Sequence, residues 1–320
     1  MNEFELVQTY FKPLTMDRAE AGGLVDDAAI LNIPEGFDLV VSSDTLNAGV
    51  HFMKSFTPAQ IAHKCLRVNL SDMAAMGAEP YCYQLNLAFS DKPDAAWARD
   101  FAGALMADQR EFGVFCSGGD TTVTDGPLLV SMTMTGLVPT GRAVKRGGAK
   151  PGDMLVVSGA IGQAVIGLKI MLGVLEVDAP EDFIAASCKP SPRTPISGVV
   201  AKYAHAAIDI SDGFLSDVGH ICAASGVGAC IEAEAIPFTP ATQKLLNSGQ
   251  VDLETLLSGG DDYELALAVP PDAVDVFIAA AAQCGVQTRV VGVFETGGGV
   301  RVLDANGQEM AFQNTGWTHF

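Results

Sequence analysis

The chain has 320 residues, 48% hydrophobic and 18% charged, which sustains about two packed domains and excludes a chain that is disordered throughout. Its 38 acidic residues outnumber 19 basic ones, giving a net charge of −19. That is the wrong sign for a general nucleic-acid binder, whose affinity comes from neutralising phosphates. No apolar run approaches the ~20 residues of a membrane span, and the opening Met1-Asn2-Glu3-Phe4-Glu5 lacks a signal peptide's basic end. A soluble, cytoplasmic protein without a membrane partner is expected. The seven cysteines (Cys65, Cys82, Cys116, Cys188, Cys222, Cys230, Cys284) are odd in number, scattered and without a Cys-x-x-Cys pair. This argues against a disulfide framework or a zinc ribbon, and they read as small buried hydrophobes.

In chain order, Phe4, Leu6, Val7, Tyr10 and Phe11 mark a short helix within residues 1–21. Residues 25–31 and 39–44 read as strands separated by a turn at Pro34-Glu35-Gly36. A helix starts with Thr57 as N-cap and Pro58 at its first position, and stops at Gly77 before Pro80. A strand over 82–89 precedes a helix from Asp94 to Phe112, with Trp97, Phe101 and Leu105 as its buried stripe. Strands follow at 113–117 and 128–138. The Gly-, Pro- and base-rich stretch 139–153 is the candidate linker. Beyond it lie a strand at 154–158, a helix at 162–173, a strand at 206–210, a helix at 214–225 and a glycine-rich turn at Gly297–Gly299. The pattern is mixed α/β in two halves that meet near residue 145, predicting domains 1–145 and 146–320.

Five segments carry aspartates at strand ends or near helix termini: Asp26-Asp27, Ser42-Ser43-Asp44, Asn69-Leu70-Ser71-Asp72, Gly118-Gly119-Asp120-Thr121 and Asp209-Ile210-Ser211-Asp212-Gly213. A single one is an ordinary cap or turn former. Five beside Gly, Ser and Thr point to a shared site, where their mutual repulsion calls for cations. Hard oxygen ligands without His or Cys select Mg²⁺ or Ca²⁺ over zinc. Magnesium keeps waters and bridges to substrate phosphates, so phosphoryl transfer is the implied chemistry. Gly118-Gly119 lets backbone N–H groups approach a phosphate beside the Asp120 carboxylate. The 209–213 segment lies between a strand and a helix N-terminus, which favours anions; N-capping by Ser211 or Asp212 is the plainer alternative and is compatible with a ligand role. There is no Gly-x-x-x-x-Gly-Lys-[Ser/Thr] loop, protein-kinase signature, dinucleotide fingerprint or Gly-x-Ser-x-Gly elbow.

Together these segments resemble the thiamine-monophosphate kinase family, within the superfamily of aminoimidazole-ribonucleotide synthetase and selenophosphate synthetase. The resemblance runs nearly end to end. It also takes in Ala48-Gly49-Val50-His51-Phe52, the stretch from Asp72 to Gly77, Gly147–Asp153, Ser258-Gly259-Gly260-Asp261-Asp262-Tyr263-Glu264-Leu265 and Gly316-Trp317-Thr318-His319-Phe320. It implies a PurM-like α/β (α+β) fold: an N-terminal domain that binds ATP and metal and dimerises through its sheet, and a C-terminal α/β domain. It further implies direct transfer of the ATP γ-phosphoryl group to thiamine monophosphate in a homodimer. Carried over, the magnesium ligands are Asp27, Ser42, Ser43, Asp44, Asp72, Asp120, Asp209 and Asp212. Gly119, Asp120, Arg146 and Ser211 contact ATP, and His51, Asp261 and Trp317 contact the thiamine substrate.

Four positions depart from the family pattern. Val25 stands where a glycine is usual, which would strain the loop if that position needs a positive φ. Ser43 replaces a usual Thr, Asp261 a usual Glu and Thr318 a usual Asp. Rival readings are another ATP-dependent enzyme of the superfamily and a non-catalytic metal- or nucleotide-binding homologue. Selenophosphate synthetase is disfavoured because residues 1–64 hold no cysteine, and a hydrogenase-maturation relative because the chain ends His319-Phe320.

Overall fold

The computed structural model describes residues 2–317; Thr318, His319 and Phe320 lie outside the described residues. The chain divides into two compact units, Met1–Met73 with Ala78–Gly141, and Ala74–Gly77 with Arg142–Phe320.

Unit 1 begins with helix α1 (Glu3–Leu6), capped reciprocally by Asn2 and Glu5, and continues through a π-turn at Val7–Phe11 and a 3₁₀ turn at Lys12–Thr15. Strand β1 (Phe37–Asn47) leads into helix α2 (Pro58–Ala75), strand β2 (Glu79–Phe89) and helix α3 (Ala95–Phe112); β3 (Phe115–Val123) and β4 (Leu129–Pro139) complete the sheet. Thr57 caps α2 as expected: its hydroxyl accepts the Gln60 N–H while the Gln60 side chain accepts the Thr57 N–H. Asp94 likewise caps α3. The strand order is β1-β4-β2-β3. β2 and β3 run parallel and need the α3 crossover, whereas β4 pairs antiparallel with both β1 and β2. Leu66, Leu70 and Met73 of α2 and Val130, Met132 and Met134 of β4 are fully or almost fully buried.

Residues 25–31 are not a strand, contrary to the sequence expectation. Gly22, Gly23 and Leu24 all have positive φ, which turns the chain out of extended geometry, and Ile30 donates its N–H to the Glu20 carbonyl instead of a ladder. Gly118-Gly119-Asp120-Thr121 is no loop after a strand: it lies inside β3, paired with Gln84–Leu87 of β2. The approach there is too close for a side chain, since a Cβ on Gly119 would stand 1.8 Å from the Leu85 carbonyl oxygen. Ser42-Ser43-Asp44 likewise lies within β1, and Asp72 within α2.

Unit 2 runs β5 (Met154–Ser158), α4 (Gln163–Met171), α5 (Glu181–Cys188), α6 (Ser197–Tyr203), β6 (Ala206–Asp209), α7 (Phe214–Ser225), β7 (Gly228–Glu232), α8 (Pro240–Asn247), α9 (Leu253–Ser258), β8 (Leu265–Val269), α10 (Val274–Gln283), β9 (Thr288–Glu295) and β10 (Gly299–Leu303). Its six strands are ordered β10-β7-β9-β5-β8-β6. Strand alternation splits the core between the two faces. Leu155, Val157, Ile208, Ala266 and Ala268 pack with Phe214, Val218 and Ile221 of α7, whereas Val156, Ala207, Leu265 and Leu267 pack with Val200 of α6 and Phe277 of α10. All seven cysteines are free, five of them buried. Among the described residues no helix is long and apolar enough to cross a membrane.

Candidate active site

In unit 1, β1 and α2 form one acidic group. The alternation of β1 sends Ser42 and Asp44 to the face where Asp72 of α2 lies, and the Ser42 hydroxyl donates to Asp72 Oδ2 at 2.5 Å. Burial, with the Asp72 carboxylate beside it, pushes the Asp44 carboxyl up to about 7. Two carboxyl groups and a hydroxyl crowded in this way are a hard-oxygen donor set that carries unrelieved repulsion. Ser43 projects to the other face, where its hydroxyl bonds the Met132 carbonyl at 3.1 Å and meets Thr133 Oγ1 at 3.2 Å. Its side chain therefore does not join Ser42 and Asp44.

A second group lies across the sheet. Asp120 pairs in register with Asn86, which pairs with Ser131, which pairs with Thr45. Paired residues share a face, so Asp120 is on the Thr45 and Ser43 side, opposite Asp44. β1 and β3 are also the two outer strands, roughly 14 Å apart at about 4.8 Å per strand. Asp120 shares an open cavity of about 390 Å³ with Asp26, Asp27 and Gly119. The neighbouring Val25 is unstrained: its φ is −116°, and the left-handed residue is Leu24 at 56°. The glycine usual at position 25 is thus not required by this backbone.

His51 sits in the tight turn after β1. Its Nδ1 accepts the Asn47 N–H at 3.0 Å, which makes the neutral ring the Nε2–H tautomer.

In unit 2 the sheet delivers Asp209 at the end of β6, almost fully buried, and the loop Ile210–Gly213 leads into α7. Segment 259–264 is laid against that loop. The Asp261 N–H donates to the Ser211 carbonyl at 2.9 Å, and the Tyr263 N–H to that of Ile210 at 2.8 Å. Asp261 and Tyr263 adopt φ of 71° and 51°, and the Tyr263 hydroxyl reaches Asp261 Oδ1 at 3.2 Å. Asp262 is half-buried and accepts the N–H groups of Gly162 and Ala164 at the start of α4. Glu264 accepts from Ser158 Oγ at 2.6 Å and pairs with Arg193. The C-terminal chain closes on the same loop, for the Trp317 N–H donates to the Asp212 carbonyl at 2.8 Å. Gly316 permits this, since a Cβ there would meet Ser216 Cβ at 2.4 Å and the Asp212 oxygen at 2.9 Å. The Trp317 residue is 58% exposed.

Unit 2 thus brings Asp209, Ser211, Asp212, Asp261 and Trp317 together. Arg146 stands apart: its carbonyl accepts from Ser225 Oγ at 3.4 Å, at the C-terminal end of α7, whereas Ser211 precedes the N-terminal end. A twelve-residue helix separates them by about 18 Å. Asp217 and His220 went unmarked by the sequence reading, yet their ligating atoms and that of Asp212 all lie within 4.8 Å of one another. The only signal was spacing: residues 217 and 220, three apart, share one face of α7.

Two family models match the chain, AIR synthase related protein N-terminal domain over residues 25–138 and C-terminal domain over residues 150–305. The thiamine-monophosphate kinase of Caulobacter vibrioides is 39% identical, over 99% of this chain and 90% of that protein. The crystal structure of thiamine-monophosphate kinase from Stenotrophomonas maltophilia K279a superposes with a TM-score of 0.85 at 34% identity, over 97% of this chain and 98% of that one. AaThiL complexed with AMPPCP and TMP superposes with a TM-score of 0.79 at 27% identity, over 99% of this chain and 97% of that one.

Proposed function

The chain belongs to the thiamine-monophosphate kinase family, among the AIR synthase related proteins, and from that premise we propose that it transfers the γ-phosphoryl group of ATP to thiamine monophosphate, yielding thiamine diphosphate. The relative with AMPPCP and TMP bound supports both ligands. The observation that carries the reading is the pairing within unit 2. Asp261 and Trp317, the residues proposed for thiamine monophosphate, hang by their N–H groups from the carbonyls of Ser211 and Asp212, proposed for ATP phosphate and metal.

The acceptor is a phosphate already ionised at neutral pH, so no strong general base is needed. The task of the protein is to hold two anions in line and neutralise them. We assign magnesium to this role: in unit 1 Asp27, Ser42, Asp44, Asp72 and Asp120 would hold it, and in unit 2 Asp209 and Asp212, whereas the Ser43 hydroxyl faces away from Asp44. The crowded Asp44–Asp72 pair fits a hard divalent cation, whose charge would counter the burial and the repulsion by Asp72 that together lift Asp44. When bound, magnesium supplies positive charge between donor and acceptor phosphates. Gly119 and Ser211 offer N–H or hydroxyl donors to the nucleotide, Arg146 a fixed positive charge, and His51 an Nε2–H donor to thiamine monophosphate.

We assign residues 1–145 to ATP and metal binding and to dimerisation, and place the enzyme in the cytoplasm. The exposed Phe37, Leu39 and Val41 on edge strand β1 support a dimer that covers that face. The unstrained Val25 removes the feature that favoured a non-catalytic homologue. The reading is tested by incubating the purified protein with ATP, magnesium and either thiamine monophosphate or free thiamine, and separating the products. Thiamine diphosphate formed from the monophosphate alone is expected. Phosphorylation of free thiamine at a comparable rate, or no turnover of either, overturns it.

A further inference from the structure

Asp217 lies in the first turn of α7, 1% exposed, and has no part in the site assigned above. A single one of its oxygens, Oδ2, accepts the N–H of Ser211 at 3.0 Å and that of Asp212 at 3.1 Å. The peptide group joining Ser211 to Asp212 is therefore held from both sides. Its N–H donates to Asp217, and its oxygen accepts the Asp261 N–H at 2.9 Å. The next carbonyl, that of Asp212, accepts the Trp317 N–H at 2.8 Å. Hydrogen bonds in such a series polarise one another, and a carboxylate at the head of the series makes them charge-assisted. Burying that carboxylate is costly. The N–H groups that converge at this helix N-terminus offset the cost only in part, for burial, with Asp212 nearby, still pushes the carboxyl up to about 7.

We propose that Asp217 is a positioning residue of the phosphoryl-transfer site: its carboxylate fixes the Ser211–Asp212 peptide, and through that peptide holds Asp261 and Trp317 in register with the nucleotide and metal residues. The inference rests on the kinase reading for the roles of those residues, though not for the geometry. The competing role for Asp217 is that of a ligand beside Asp212 and His220. Its engagement with two backbone N–H groups favours positioning.

The two roles separate experimentally with Asp217→Ala and Asp217→Asn. An asparagine oxygen can still accept both N–H groups but carries no charge. Amide hydrogen exchange, read by mass spectrometry on the protein without ligands, follows peptides covering 210–213, 259–264 and 313–320. Steady-state kinetics is measured alongside. D217A is expected to exchange about tenfold faster in those three peptides only. It should also lose about 10- to 100-fold in kcat/KM for thiamine monophosphate, the usual cost of removing a group that orients a ligand. D217N should keep wild-type exchange and kcat/KM within about threefold. Should D217A fail to fold, D217S takes its place, its hydroxyl being too short to reach either N–H. Unchanged exchange and kinetics in the Ala or Ser variant overturn the proposal. So does faster exchange spread through β5 and β8, which would make Asp217 a support of the fold. Equal loss of activity in D217N and D217A would make it a ligand. If the wild-type protein has no kinase activity, the exchange pattern still decides the positioning, so failure of the function and failure of this inference are distinguishable.

Discussion

Asp44 and Asp120 stand on opposite faces of one four-stranded sheet, on its two outer strands, with β4 and β2 between them. A magnesium ion reaches its ligands at about 2.0–2.1 Å, so within one chain no ion touches both. The proposed dimer offers another arrangement, in which Asp44 of one copy and Asp120 of another serve one nucleotide.

That geometry predicts complementation between inactive variants. Asp44→Asn and Asp120→Asn should each abolish turnover in the homodimer. Mixed dimers, formed by co-expression, contain one site with both lesions and one with neither. In a twofold-symmetric assembly, random mixing restores about a quarter of wild-type activity. No recovery in dimers shown to be mixed would mean that Asp44 and Asp120 both serve the site of their own chain. A monomer that retains full activity in sedimentation at micromolar concentration would refute the dimer itself.

Removing charge from the acidic groups should cost activity without costing stability. Asp44→Asn keeps the volume, retains an oxygen near Asp72 and removes half of a repelling pair. Functional carboxylates of this kind destabilise the fold that holds them. Thermal melts of the variant without magnesium should match or exceed those of the wild type, while turnover falls below detection. A melting temperature several degrees lower would show that Asp44 supports the fold.

The pH dependence of stability should report Asp262. Burial, with Glu264 and Asp261 nearby, pushes its carboxyl from 3.8 up to about 8, against the opposing pull of the Gly162 and Ala164 N–H groups. The folded chain thus holds a proton that the unfolded chain gives up. The stabilisation is complete below about pH 3.8 and is lost as pH rises through about 8. Asp262→Asn is neutral at every pH, and its one amide oxygen can accept only one of the two N–H groups, a cost that does not vary with pH. Its melting temperature relative to the wild type should therefore climb between about pH 3.8 and about pH 8 and be level below and above that window. A gap that stays constant across this range would mean that Asp262 is ionised in the fold.

Much of the scaffold was legible because its signals are local. Thr57-Pro58 and Asp94 mark the starts of helices α2 and α3 through capping chemistry, and β4 and β5 read directly from apolar runs. The 25–31 segment misled because Val25, Ile30 and Leu31 look apolar and extended, yet the positive φ of Leu24 turns the chain and no strand pairs with it. At Gly118-Gly119 the glycines signalled a turn; they serve instead a close approach between β3 and β2, which only the partner strand reveals. The candidate residues were legible as residue types beside one another, and their sidedness was not. That Ser43 turns from Ser42, or that Asp120 turns from Asp44, follows from sheet register. Asp217 was hidden because an acidic residue in the first turn of a helix is ordinary. Its significance comes only from the two N–H groups folded back onto it.

Trp317 gives the sharpest test of the substrate side. Its main chain is tied to the Asp212 carbonyl, whereas the residue as a whole is 58% exposed. The tether and the indole are therefore separable: Trp317→Ala keeps the N–H bond and removes only the ring. An exposed ring contributes little to packing, so the melting temperature should stay within about a degree, in line with surface substitutions of at most ~0.5 kcal/mol. The thiazolium cation of thiamine monophosphate would be drawn to an aromatic face, a contact worth about 1–2 kcal/mol when partly desolvated, or roughly 5- to 30-fold in affinity. Calorimetry with a non-hydrolysable ATP analogue and with thiamine monophosphate should show the second affinity weakened by that factor and the first nearly unchanged. Equal losses for both ligands would mean that the indole shapes the Asp212 loop as a whole. No loss for either would remove Trp317 from the site and leave the cation to be recognised by Asp261 through charge alone.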